Sequence, residues 1–353
     1  MTAALVRRKG KGILAKALSS TSPFINTSAF SMSTSKCIRH QSSLSISSPS
    51  LMILRNQSAS ASCTRESSDM VEVDYDWLKQ SRPMRIHARA IHPPNGNASA
   101  GGTESISSGV SKIIHFQRHG QGVHNEIYDQ WVQQTGRRPD LHDMDPKNNP
   151  LLLPNVLDAP LTDKGVGQCV EQRAAIARRL NNVELIISSP LVRCLQTAHY
   201  TFEDLLPYNA NASRGDVKWI VHDGIREELG TLLCNKRGPF SQTKELFPMV
   251  DYTHLSHHDE HDEMWYNYVA NNSNEDGMPR RETIEGMSHR AFDFFVNFLM
   301  KRPEKEIVVV GHSHFFLAMT KAVLSFDEID DSFISPVFGQ AEVRSMELVL
   351  MEQ

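Results

Sequence analysis

A chain of 353 residues with 40% hydrophobic side chains and a formal net charge of −4 can build one substantial core or two modest ones. The near-neutral balance gives no reason to expect a nucleic-acid partner, and no apolar run reaches the ~20 residues of a bilayer-spanning helix, so a soluble protein without membrane attachment is expected. Cys37, Cys63, Cys169, Cys194 and Cys234 are widely spaced with no Cys-x-x-Cys pair, which argues against a disulfide framework or zinc knuckle and leaves reduced, structural thiols.

In chain order, the first segment is the most biased. From Met1 to Arg65 there is no Asp or Glu, while Arg7, Arg8, Lys9, Lys11 and Lys16 are basic and serine is abundant. "MTAALVRRKGKGILAKAL" can form a short basic amphipathic helix and lacks the continuous apolar stretch of a secretory signal. Residues 1–65 therefore read as a disordered organelle transit peptide, for mitochondrion or plastid, the alternative being a cytoplasmic protein with a basic tail. Residues 66–110, rich in Ser, Gly, Asn and Pro, read as linker, with "VEVDYDWL" able to dock on the domain beyond it.

Past Val110 strands alternate with helices. "KIIHF" reads as a buried strand. "LTDKGVGQCVEQRAAIARRL" reads as a helix capped by Thr162 or Asp163, with Val166, Val170, Ala174, Ile176, Ala177 and Leu180 along its apolar side. "VELIISS" is a second strand, and Pro190 suits the first turn of the helix after it. "KWIVHDGI" is a third strand. The spacing of Phe292, Phe295, Val296 and Leu299 predicts a core-facing helix from about Glu282 to Lys301. "KEIVVVGH" is a fourth strand leading into "FFLAMTKAVL", and "VRSMELVLM" can close the sheet. The expectation is an α/β fold, a mostly parallel central sheet with helices on both faces.

In such sheets ligands gather beyond the carboxyl ends of the strands. That edge would receive Arg118 and His119 from the first strand, Ser188, Ser189 and Arg193 from the second, Glu227 from the third and His312 from the fourth. A dianionic phosphomonoester needs fixed positive charge, and the planar guanidinium fork matches phosphate oxygens in pairs, so Arg118 and Arg193 are the expected clamp. Asn125 can add a neutral donor, and the amides opening the helix after Pro190 favour an anion. A neutral imidazole is a competent nucleophile, which assigns His119 to in-line attack and a phosphohistidine. Gly120 would let the chain turn closely around the substrate. His312 would stabilise charge on the equatorial oxygens. Glu227 is the expected proton donor, later activating water; Glu228 is its neighbour, and two adjacent side chains on such a turn are not expected to point inward together.

"RHGQGVHN", "LTDKGVGQ", "ISSPLVRCLQTA", "REELG" and "VVVGHS", in this order, resemble the histidine phosphatase superfamily, also called phosphoglycerate mutase-like, over roughly Lys112 to Gln353. The resemblance implies His119 as the phosphorylated residue, Arg118, Arg193 and His312 around the phosphate, and Glu227 as proton donor. "CNKRGPFSQTKELFPMVDY" and "GQAEVRSMELVL" are most similar to the plant and fungal phosphoglycerate mutase-like proteins, which implies a phosphatase. Cofactor-dependent mutases carry a Tyr and a paired-Arg segment after the acid, where this chain has "ELGTLLCNKRG"; the acid phosphatase branch carries His-Asp in place of His312-Ser313.

The catalytic domain is thus expected over 111–353, with 234–281 as a lid on the substrate side and Lys236 and Arg237 as substrate contacts or steering charges. His257 and His261 in "HLSHHDEHDEMW" have the spacing of metal ligands on one helix face, but a solvated lid fits the charge-rich segment better. No metal or cofactor is expected. The expected function is hydrolysis of a small phosphorylated metabolite, the alternatives being a phosphoglycerate mutase-type enzyme and a non-catalytic phosphoester-binding protein.

Overall fold

The computed structural model describes residues 75–82, 84–91, 109–177, 179–180, 182–209, 216–326 and 337–352. The transit-peptide reading of 1–65 lies outside the described residues, as do 66–74 and 92–108 of the segment read as linker.

The described strands are β1 (Met84–Ala90), β2 (Val110–Arg118), β3 (Leu185–Ser188), β4 (Lys218–Val221), β5 (Glu306–Gly311), β6 (Leu324–Ser325) and β7 (Val343–Glu352). They form one sheet in the order β4-β3-β5-β2-β7-β1-β6. All neighbours are parallel except β7, which runs antiparallel to both β1 and β2. The sheet is therefore mostly parallel, as expected.

Two departures belong to long-range pairing. "MRIHARA", inside the stretch read as linker, is β1, paired along its whole length with β7. Its alternation is short, and only Ile86 and Ala88 reach the core. β7 consequently lies inside the sheet between β1 and β2, and the edges are β4 and β6.

Strand β5 shows why the sheet needs cover on both sides. Ile307 and Val309 face one core with Ile114, Phe116, Phe294, Phe295, Phe315 and Phe316, whereas Val308 and Val310 face the other with Ile186, Leu195, Ala198 and Phe202. Each such side chain contributes about 1.5–3 kcal/mol by leaving water. The first face is covered by α7 (Ile284–Asp293) and α8 (Ser313–Ala322), the second by α4 (Val192–Phe202) with α3 (Asp163–Ile176). Before these come α1 (Tyr75–Gln80) and α2 (Val123–Thr135), and between them α5 (Phe240–Leu246) and α6 (Glu263–Asn271). The Lys321 ammonium of α8 lies over the Tyr75 ring of α1 at 5.7 Å.

Thr162 caps α3 by accepting the Gly165 N–H at 3.1 Å. Of the side that periodicity suggested for α3, Ile176 and Leu180 are buried and Val166 packs against Leu161, Cys169 and Ala341, whereas Val170, Ala174 and Ala177 are exposed; Gly165 and Cys169 are buried in addition. The tie is a close crossing: a Cβ on Gly165 would stand 2.2 Å from the Gln121 carbonyl oxygen. Helix α7, capped by Thr283, widens into a π turn over Phe294–Leu299, and Phe294, Phe295 and Leu299 are all buried there.

The 234–281 segment is only partly a cover. Phe247, Val250, Tyr252 and Leu255 belong to the second core. Asp251 extends the sheet beside β4 through Asp251 N–H to Trp219 O and Val221 N–H to Asp251 O. These apolar side chains seal the sheet edge, so this part of the expected lid also carries core.

Candidate active site

The register of the sheet assembles the site. Arg118, the last residue of β2, pairs with Gly311, the last of β5, and Ser188 at the end of β3 pairs with Val310. The next residues, His119, His312 and Ser189, thus emerge side by side at the carboxyl edge. The His119 and His312 rings lie 5.3 Å apart.

His119 is 2% exposed, and its Nδ1 lies 2.7 Å from the Gly120 carbonyl oxygen. A carbonyl only accepts, so Nδ1 carries the proton and Nε2 the lone pair. Burial, then Arg193, His124 and Arg118, hold the imidazole well below its usual pKa, so it is neutral. Arg193 is 1% exposed. Its Nη1 donates to the Cys234 carbonyl at 2.5 Å, and its Nη2 to Asn235 Oδ1 at 3.0 Å and to His312 Nδ1 at 3.2 Å. Since the guanidinium can only donate, His312 Nδ1 accepts and its Nε2–H donates to Ser189 Oγ at 2.9 Å. Burial and Arg193 keep His312 neutral too. Arg118 is anchored by Nη1 to the Phe338 carbonyl at 2.6 Å.

Gly120 has a structural reason besides the expected one. A Cβ there would stand 2.6 Å from the Gly165 carbonyl oxygen and 3.1 Å from Cys169 Sγ, so the glycine permits a close approach to α3. Asn125 belongs to the cap of α2, its Oδ1 accepting the Gly122 N–H at 3.0 Å. Pro190 precedes α4 by two residues, and the anion at that helix start is supplied by the chain itself: Asp158 accepts the Val192 N–H at 2.9 Å and the Gly238 N–H at 2.7 Å.

Glu227 sits at the opening of α8, accepting N–H groups from His314 at 3.3 Å and Phe315 at 3.2 Å. It is not paired with Arg226 or Arg237. Arg226, 0% exposed, forms a bidentate pair with Asp262 at 2.7 and 2.6 Å. Arg237 donates to the carbonyls of Gly238, Asp259 and His261. Lys236 donates to the Tyr266 hydroxyl at 2.8 Å and stands over its ring. Neither basic residue expected to contact substrate presents its head to the histidines in this arrangement.

Glu227 and Glu228 both turn inward, contrary to the expectation that adjacent side chains cannot. Both are buried, and His314 Nδ1 lies 3.9 Å from Glu227 Oε1 and 3.0 Å from Glu228 Oε2. The cationic groups between and behind them permit it. Glu228 draws the His314 pKa up to about 9, against the opposing effect of burial. Burial pushes Glu228 up, but His314 and Arg281, the latter 2.5 Å away, outweigh it and bring Glu228 to about 2. One donor atom from each of Glu227, Glu228 and His314 falls within 4.8 Å of the others, a spacing that suits a cation. The imidazolium and guanidinium already balance both carboxylates, so the group reads as an ion-pair cluster. His257 and His261 are exposed in the irregular stretch before α6, off any helix face.

Sequence reasoning assigned no role to His124, Asn235, Asp158, His314 or Arg281. His124 is 7% exposed, its ring 5.5 Å from that of His119, and its Nδ1 has no hydrogen-bond partner. Both His124 and His314 stand within motifs already singled out; Asn235 and Asp158 arrive through tertiary contacts that no local pattern announces.

The arrangement offers a neutral imidazole with a free lone pair, two guanidinium groups, a second imidazole and a carboxylate around one buried edge. Residues 151–230 match the sequence profile described as Histidine phosphatase superfamily (branch 1), a span that holds Arg193 and Glu227. The chain is 31% identical to phosphoglycerate mutase-like protein 1 of Arabidopsis thaliana over 259 residues, covering 67% of this chain and 81% of that protein. It is 28% identical to another Arabidopsis thaliana phosphoglycerate mutase-like protein over 260 residues, covering 67% and 84%. Among solved structures, a phosphoglycerate mutase from Bacillus anthracis aligns over 69% of this chain and 92% of its own, at 14% identity and a TM-score of 0.39.

Proposed function

Because this chain belongs to the histidine phosphatase superfamily, among its phosphoglycerate mutase-like members, we propose that it hydrolyses a small phosphomonoester through phosphohistidine at His119. The observation that carries the reading is the His119 tautomer. With Nδ1–H held by the Gly120 carbonyl, the Nε2 lone pair is the nucleophile, and burial beside Arg193 keeps it unprotonated at neutral pH.

Arg193 and Arg118 clamp the phosphoryl oxygens. The carbonyls of Cys234 and Phe338 and the Asn235 amide oxygen hold the two forks in place before substrate arrives. His312 donates to an equatorial oxygen as charge develops, exchanging its bond to Ser189 for one to the substrate. Glu227 protonates the leaving oxygen and then takes a proton from the attacking water, a role that contributes roughly 10²–10⁴-fold. None of these steps calls for a metal.

Hydrolysis is favoured over phosphoryl exchange between two sites of one substrate by the fate of the basic pair after Glu227. Lys236 is turned to Tyr266 and Arg237 to backbone carbonyls, so neither stands ready to grip a second phosphate. The test is hydrolysis of an aryl phosphate in excess chelator, with rapid acid quench to trap the labelled enzyme. His119→Ala should lose both turnover and label. A His119→Ala enzyme that turns over at the unsubstituted rate overturns the assignment; isomer exchange of a phosphoglycerate without release of inorganic phosphate would make the protein a mutase.

A further inference from the structure

His314 is the second residue of α8, in the first turn, where the helix dipole disfavours a cation. It is nevertheless held as imidazolium. Its Nδ1 is 3.0 Å from Glu228 Oε2 and 3.9 Å from Glu227 Oε1. The charged groups facing it are these two carboxylates, from the turn after β4, and Arg281, from the segment before α7, whose guanidinium is on the far side of Glu228. Within the cluster His314 is the member most open to solvent, its side chain 27% exposed against 8% and 5% for the two glutamates and 16% for Arg281. A cation kept at a helix opening, beside the carboxylate that must pass a proton on, and within reach of water, is placed as a proton store.

Resting on the phosphohydrolase reading above, we propose that His314 supplies the leaving-group proton, relayed through Glu227. As the His119 Nε2 lone pair forms the N–P bond, the bond from phosphorus to the leaving oxygen breaks. The Glu227 carboxylate takes the proton of His314 Nδ1, which turns from Glu228 Oε2 at 3.0 Å to Glu227 Oε1 at 3.9 Å, and passes it to that oxygen, leaving Glu227 a carboxylate again with neutral imidazole and free alcohol. In the second half, water attacks phosphorus and the N–P electron pair returns to His119. The proton of that water passes through Glu227 to His314, so inorganic phosphate leaves and the imidazolium is restored. Glu228, kept anionic at about 2 by His314 and Arg281, is the fixed countercharge that sets how tightly the store holds its proton. His314 acts through Glu227 and is a positioning residue in this sense.

The experiment compares kcat/KM of the full chain on an alkyl phosphate, whose leaving oxygen needs a proton, and on dinitrophenyl phosphate, whose leaving anion does not. His314→Asn should lose roughly 10²–10³-fold on the alkyl phosphate and less than about threefold on the aryl one. Glu228→Gln keeps the imidazole but removes its countercharge. The alkaline limb of the alkyl-phosphate profile should then move down from about pH 9, while the dinitrophenyl profile stays in place. Equal losses on both substrates, no loss on either, or an unmoved alkaline limb in Glu228→Gln would each overturn the proposal. An unsubstituted protein that turns over neither substrate would instead overturn the phosphohydrolase reading, and with it the role of His314.

Discussion

Acidification from about pH 7.5 to about pH 5.5 should weaken the fold sharply. His119, His124 and His312 are buried against Arg193, and each is held well below its ordinary pKa of 6.5. The sign is set by that depression. The unfolded chain binds the protons that the native site refuses, so their contribution is present above pH 6.5 and is lost as the pH falls below it. By about pH 5.5 each group has withdrawn about 1.4 kcal/mol, together about 4 kcal/mol. His314 works the other way: raised to about 9, it is already protonated when its unfolded counterpart takes up a proton near 6.5. That returns about 1.4 kcal/mol. Glu228, at about 2 against an ordinary 4.5, is ionised across the window in both states and changes little. The net loss from the four histidines is about 3 kcal/mol, a large part of the 5–15 kcal/mol of an ordinary domain. His222, pulled down to about 4 by burial, and His199 deepen it. Urea unfolding at the two pH values, in phosphate-free buffer because bound anion would stabilise the native state, reads the difference directly. His124→Phe should shrink it by about 1.4 kcal/mol. A drop under about 1 kcal/mol for the unsubstituted chain, or an undiminished drop in His124→Phe, would refute the charge-excluding cage.

Asn235→Ala removes one of the two side-chain acceptors of Arg193 Nη2, leaving His312 Nδ1. It should cut kcat/KM on an aryl phosphate roughly 10- to 100-fold, the equivalent of about 1.5–3 kcal/mol for a hydrogen bond to a charged group. Gly120→Ala puts a Cβ 2.6 Å from the Gly165 carbonyl oxygen and should lower unfolding free energy by about 1–3 kcal/mol, measured by the urea midpoint. Asp262→Ala leaves the fully buried Arg226 guanidinium with only the Asn235 carbonyl at 2.9 Å and Asp223 at 3.8 Å, and a loss of about 3 kcal/mol is expected, measured by the urea midpoint. Replacing both partners, as Arg226→Met with Asp262→Leu, should recover most of it.

What could be read along the chain was whatever repeats at short range. The apolar runs "KIIHF", "LIIS" and "IVVVG" declare β2, β3 and β5, because a strand covered on both faces is continuously hydrophobic. The rule that ligands collect at the carboxyl edge then carries His119, Arg193 and His312 to one place, and the observed register brings the two imidazoles 5.3 Å apart. Strand β1 escaped, since "MRIHARA" is half polar and becomes a strand only by pairing with β7 from the far end of the chain. Burial of Gly165 and Cys169 at the start of α3 escaped because a close crossing of Gly120 and Gly165 is invisible to hydrophobic periodicity. Adjacent Glu227 and Glu228 looked mutually exclusive until His314 and Arg281 supplied the charge that lets both turn in.

Sequence by itself determined the alternation of strands and helices, hence the mostly parallel sheet, and the kinds of group that reach its carboxyl edge. Local pattern suffices for both, because period-2 and period-3.6 burial and strand-end position are properties of neighbouring residues. Tertiary structure alone decided which of those groups are charged and which are anchored. Ionisation and hydrogen bonding depend on distance in space: Asn235 reaches Arg193 from 42 positions away, and His312 meets Ser189 across 123.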